Sequence, residues 1–149
     1  MLNNIPPILS PELLKILCEM GHGDTIVLAD GNFPAVSVAG ANGAKLARCD
    51  GLGVPELLRA ILSLFPLDTF VDAPVTLMGV ASGQSQVEVP IWDTYHAIVA
   101  EYDERGRGAF RTVDRFAFYD EAKQAYAVVA TGESARYANV ILKKGVVII

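Results

Sequence analysis

Gly21-His22-Gly23-Asp24-Thr25-Ile26-Val27-Leu28-Ala29-Asp30 is the stretch around which the chain is organised. Thr25 to Ala29 form a short apolar run with β-branched residues, bounded by glycines before it and Asp30-Gly31 after it. That pattern predicts a strand covered on both faces. Its ends are polar. His22 lies between two glycines, which place it in a tight turn. Asp30 sits at the carboxyl end, where open α/β sheets usually bind ligands.

Working outward, Ser10-Pro11-Glu12 opens a helix, with a hydroxyl cap, a proline at the first turn and an acid favoured by the helix dipole. Gly21 stops it. Residues 35–44 are small and glycine-rich and read as loop. Lys45–Cys49 reads as a short strand, Val54 to about Leu64 as a helix, and Pro74–Val80 as a second buried strand. Residues 81–89 read as a polar loop, and a helix begins near Ile91. Asp103–Gly108 is a charged surface loop. Ala109–Val113 reads as a strand, and Asp114 as the cap of a helix running to about Gln124. Tyr126–Ala130, Asn139–Leu142 and Val146–Ile149 all look strand-like. Strands alternating with helices predict an α/β fold: a mostly parallel sheet with helices on both faces, in one domain spanning residues 1–149.

Composition narrows the function classes. Of the 149 residues, 52% are hydrophobic and 19% charged, an apolar balance that predicts surface buried against other subunits. The net charge of −5 without a basic run argues against nucleic acid and anionic membranes. No stretch approaches the length of a membrane span, and the first residues lack the pattern of a signal peptide. Cys18 and Cys49 form no disulfide framework and read as buried thiols in a reducing cytoplasm. Two histidines without a ligand-spaced partner set disfavour zinc. No phosphate-binding glycine loop and no serine nucleophile elbow is present.

Three clusters carry possible chemistry. The first is His22 with Asp30. Histidine exchanges protons near neutrality; the plain alternative is a turn histidine bonded to backbone, with Asp30 a turn-former. The second is Asp114-Arg115-Phe116-Ala117-Phe118-Tyr119, in which Arg115 and Tyr119 share a helix face and could hold a polyhydroxylated ligand. Its alternative is an amphipathic helix with Phe116 in the core. The third is Thr131 to Asn139, where Tyr137 and Asn139 fall on one side if extended. His96 and Trp92 read as packing residues.

Together these clusters resemble a family. Ser-Pro-Glu-Leu-Leu, Met-Gly-His-Gly-Asp followed by Leu-Ala-Asp, Asn-Phe-Pro, Asp-Gly-Leu-Gly-Val-Pro, Pro-Leu-Asp, Arg-Phe-Ala-Phe-Tyr, Thr-Gly-Glu and Tyr-Ala-Asn-Val-Ile-Leu-Lys-Lys-Gly-Val occur in the order of the ribose pyranase and fucose mutarotase family, from about residue 8 to 147. Arg115 and Tyr119 look like the fucose branch; Tyr-Ala-Asn is commoner in the ribose branch. The resemblance implies a cofactor-free, metal-free sugar isomerase acting on L-fucose, with D-ribose pyranase or a non-catalytic sugar-binding protein as alternatives. It implies His22 as proton donor, Tyr119 as a second catalytic group, and Asp30 as a hydroxyl-binding residue that orients or tunes His22. Asp68, Arg115, Tyr137, Ala138 and Asn139 would hold the remaining hydroxyls. It further implies a ring, often a decamer, with sites completed across subunit contacts.

Overall fold

A computed structural model describes residues 1–149. Helix α1 (Pro11–Glu19) starts where Ser10 Oγ accepts from Leu13 N at 3.2 Å. Strand β1 (Thr25–Ala29) follows, then α2 (Ala35–Asn42), β2 (Lys45–Cys49), α3 (Val54–Leu62), β3 (Val75–Met78) and α4 (Pro90–Ala100). A 3-10 turn at Gly106–Ala109 leads into β4 (Phe110–Val113), α5 (Arg115–Lys123), β5 (Ala127–Thr131) and β6 (Val140–Lys143).

The six strands lie in the order β2-β5-β1-β6-β3-β4. Pairings are parallel except those of β6, which runs antiparallel to β1 and β3 on either side of it. Because successive strand residues face opposite ways, β1 feeds two cores. Ile26 and Leu28 join α1, α3 and α4 on one face; Val27 and Ala29 join α2 and α5 on the other. The expected mostly parallel sheet with helices on both faces is therefore present.

Several local expectations differ. Residues 35–42 form a helix rather than a loop. Their small side chains hide the periodicity, yet Ala35, Val38 and Ala39 let α2 approach the sheet closely, and Gly43 ends it at φ +74°. Val146–Ile149 is no strand; its four side chains are exposed. Cys49 is buried as expected but Cys18 is exposed, on the outer side of α1. On α5, Phe118 and not Phe116 fills the core: Phe116 is 74% exposed while Phe118 is fully covered. No helix is long and apolar enough to cross a membrane.

Candidate functional site

The antiparallel strand β6 is what arranges the polar residues. Its amino end lies beside the carboxyl end of β1, and its carboxyl end beside the turn that precedes β1. Each end builds one cluster.

At the carboxyl end of β1, Asp30 is buried, and Asn139 clasps it twice. Asp30 N donates to Asn139 Oδ1 at 2.7 Å, and Asn139 Nδ2 donates to Asp30 Oδ2 at 3.0 Å. Asn32 N donates to Asp30 Oδ1 at 3.0 Å. Burial pushes the Asp30 carboxyl above its usual range, against the pull of the Asn32, Ala138 and Phe33 N–H groups and the Asn139 amide. Ionising Asp30 thus costs stability above its raised range, a cost relieved as pH falls through that range. A side chain held this way is suited to accepting hydrogen bonds from a ligand.

Asp30 opens into a pocket of about 320 Å³ lined by Asn32, Phe33, Met78, Gln84, Tyr119, Arg136, Tyr137 and Asn139. Tyr119 stacks on Phe33, centroids 5.3 Å apart and planes 12° apart, which fixes the direction of its phenol. Tyr137 and Asn139 do share this pocket, but not by strand alternation: Tyr137 is left-handed, at φ +57°. Two residues of α4 hold that turn. Trp92 Nε1 donates to the Tyr137 carbonyl at 2.9 Å, and the buried Tyr95 hydroxyl donates to the Ala138 carbonyl at 2.7 Å. In the sequence Trp92 reads as a packing residue and Tyr95 as part of an apolar helix stripe, so neither polar role shows there. Tyr137 Oη in turn donates to Gln84 Oε1 at 2.6 Å, tying the 81–89 loop to the mouth of the pocket. Arg136, also unforeseen, lines the pocket, whereas Arg115 does not; the Arg115 guanidinium lies 5.5 Å over the Phe116 ring.

An Asn139→Ala variant should shift the acid limb of any Asp30-dependent activity to higher pH, because a group that favours the carboxylate is gone. Arg136, Tyr119 and Tyr137 in the pocket, and Arg48 and Asp50 in the adjoining hollow, remain to set the residual value. The variant should also lose about 1–3 kcal/mol of stability through the unpaired Asp30 N–H. A pH–rate profile with a denaturant titration checks both.

At the other end of β1, Gly23 (φ +86°) completes the tight turn that carries His22. Gly23 N donates to the Lys144 carbonyl at 2.9 Å, and Lys144 N to the Asp24 carbonyl at 2.9 Å. The same stretch holds the segment after α3: Asp68 N donates to the Lys143 carbonyl at 3.0 Å, and Gly145 N to the Pro66 carbonyl at 2.8 Å. Gly145 permits this approach, since a Cβ there would lie 2.5 Å from the Leu67 carbonyl oxygen. The result is a pair: His22 Nε2 lies 3.0 Å from Asp68 Oδ1, with Asp68 2% and His22 43% exposed. Burial acts to raise the Asp68 carboxyl, but the Phe70 N–H, His22 and Lys143 together hold it below its usual range. Phe70, 77% exposed, packs on the imidazole at 4.8 Å between centroids.

His22's carboxylate partner is thus Asp68, and not Asp30 as the sequence suggested. Strand β1 separates the two clusters: at about 3.3 Å rise per residue, Thr25 and Ala29 alone are about 13 Å apart. Neither hollow containing Asp30 is lined by His22 or Asp68.

The pocket lies at the carboxyl ends of β1 and β3, and its lining of carboxylate, amide, phenol and guanidinium groups beside the Phe33 ring is suited to a small molecule rich in hydroxyls. The chain belongs to the RbsD / FucU transport protein family, which matches residues 3–147. It is 49% identical over 147 residues to a fucose mutarotase of Danio rerio, covering 98% of this chain and 94% of that one. FucU from Bifidobacterium longum superposes with TM-score 0.93 at 58% identity, over 97% of this chain and 99% of the other. A fucose mutarotase from Streptococcus pneumoniae in complex with L-fucose gives TM-score 0.90 at 49% identity, over 99% and 100%. The Bacillus subtilis RbsD–ribose structure, at 23% identity and TM-score 0.73, shares the fold.

Proposed function

We propose that the protein is an L-fucose mutarotase, an isomerase that interconverts the α and β anomers of the free sugar. The observation that carries this reading is the polar pocket around Asp30 and Tyr119, in a chain about half identical over nearly its full length to proteins named for that activity. The much lower identity to the ribose-bound relative favours fucose over ribose.

The chemistry is proton transfer. A base removes the proton of the anomeric hydroxyl, C1–O becomes a carbonyl, and the C1–ring-oxygen bond breaks as an acid protonates the ring oxygen. Rotation about C1–C2 presents the other carbonyl face. Closure reverses both transfers, so no proton or electron is gained or lost. His22, half exposed and backed by the buried Asp68 carboxylate, serves as proton donor. Tyr119, held by Phe33, exchanges the second proton. Asp30 and Asn139 hold sugar hydroxyls, with the Tyr137-Ala138 backbone beside them. Arg115 lies outside the pocket of its own chain, and its part in holding the sugar is assigned to a contact between copies.

Such a mechanism needs His22 and Asp30 near one ligand, and one chain keeps them at opposite ends of β1. We infer that a site is shared, with His22, Asp68 and Phe70 of one copy meeting the Asp30 pocket of another in a closed ring, with a decamer as the preferred assembly. The exposed faces of Phe70 and Phe116 beside these clusters support a covered contact. The free thiols Cys18 and Cys49 suit a reducing cytoplasm.

Saturation-exchange NMR on the anomeric protons of L-fucose, with D-ribose in parallel, tests the reaction. Accelerated fucose exchange at catalytic protein concentration is expected. Acceleration for ribose alone would reassign the substrate, and acceleration for neither would favour a sugar-binding role.

A further inference from the structure

The loop that carries Asp68 has almost no packing of its own. Residues 68–72 follow the end of α3 and precede β3, and Asp68 is their one deeply buried side chain. The carbonyls of Asp68, Val71 and Asp72 accept no backbone hydrogen bond. All three are met instead by one side chain. Arg105 Nη2 donates to the Asp68 carbonyl at 3.0 Å, and Nη1 to those of Val71 and Asp72 at 2.9 and 3.4 Å.

The guanidinium is itself aimed by a carboxylate. Arg105 Nε donates to Asp103 Oδ1 at 2.9 Å and Nη2 to Asp103 Oδ2 at 2.7 Å, while Arg105 N donates to Asp103 Oδ1 at 3.0 Å. Asp103 N is bonded to the Val99 carbonyl near the end of α4, at 2.8 Å. The pair is largely covered: the side chains are 26% and 11% exposed. A planar guanidinium with five donors can serve a bidentate carboxylate and a row of carbonyls together; an ammonium cannot.

We propose that Arg105, aimed by Asp103, is a positioning residue for the proton donor. It straps residues 68–72 to the end of α4, which fixes Asp68 against His22 Nε2 and Phe70 against the imidazole face. Arg105 does not touch the sugar pocket; it acts through the loop. The segment reads in sequence as a solvated charged loop, because nothing in Asp103–Gly108 shows that its guanidinium turns inward. This inference rests on the reading of His22 as the proton donor.

The test compares Arg105→Lys and Arg105→Met with wild type in L-fucose exchange as a function of sugar concentration, and in the His22 ring-proton NMR signals, which sense the Phe70 ring. A shift of the reacting group by about 1 Å costs about 100-fold in rate. Arg105→Met should therefore lose about 100-fold in kcat and Arg105→Lys about 10-fold, with KM little changed and the His22 signals displaced. Arg107→Ala, which removes only the exposed pair with Asp93 at 3.2 Å, should match wild type. If Arg105→Met does not fold, Arg105→Lys decides. Wild-type kcat in a folded variant overturns the inference, and so does a fall in kcat with His22 signals unmoved. His22→Ala run alongside separates the two failures. If it is fully active, the functional reading falls; if it is inactive beside a fully active Arg105→Lys, only the strap falls.

Discussion

A His22→Ala variant should exchange L-fucose anomers about 10²- to 10⁴-fold more slowly than wild type, the usual contribution of a positioned acid–base group. Sugar affinity should be largely kept, because the hydroxyl-binding pocket proposed around Asp30 is built from residues other than His22. Exchange NMR measures the first quantity and calorimetric titration with L-fucose the second. The variant should also be slightly less stable, in a pH-dependent way. Asp68 loses one of the groups that hold its carboxyl low. A depressed carboxylate stabilises the fold above the usual carboxylate range and loses that contribution as pH falls through its own lowered range. The stability deficit of His22→Ala should therefore be present at neutral pH and fade under acid. Wild-type exchange in this variant would remove His22 from the chemistry.

Asp30→Asn should be the second large loss, about 100-fold or more in exchange, and here affinity should fall as well. The reason lies in the clasp. Asp30 Oδ1 accepts from Asn32 N and Oδ2 from Asn139 Nδ2. An amide offers one acceptor, so its NH₂ group must confront one of these donors. The wild-type enzyme should also lose activity as pH falls through the raised Asp30 range, above that of an ordinary carboxylate, and Asp30→Asn should lack this limb. A variant with unchanged exchange and affinity would place Asp30 outside the site.

The extent to which these features were legible in the sequence follows from their physical origin. Strand β1 could be read because an apolar run between glycines and Asp-Gly has few other homes, and the caps of α1 and α5 because Ser10 and Asp114 carry local chemistry. Helix α2 was hidden by residues too small to show a period. The reversal of β6 was hidden because a buried strand has the same composition in either direction, and that reversal organises the site. It brings Asn139 to Asp30 at one end and the Lys143–Gly145 stretch to both the His22 turn and Asp68 at the other. Residues eight apart in sequence, His22 and Asp30, looked like partners because they flank one strand, and for the same reason they are held apart. Asp68, 46 positions from His22, became the partner through backbone hydrogen bonds that leave no mark on side-chain pattern. The polar roles of Tyr95 and Arg105 were equally silent, since each is spent on backbone carbonyls of a distant turn.

The measurement that bears most directly on a site shared between copies is subunit mixing. His22→Ala and Asp30→Asn chains, each inactive alone, are unfolded together, refolded at equal ratio and assayed for L-fucose exchange. If one copy supplies His22 and the next supplies Asp30, random assembly makes about a quarter of the sites fully wild type, and about a quarter of wild-type exchange should return. If each chain used its own His22 with its own Asp30, every site would carry a defect, and the mixture would stay as inactive as its parts.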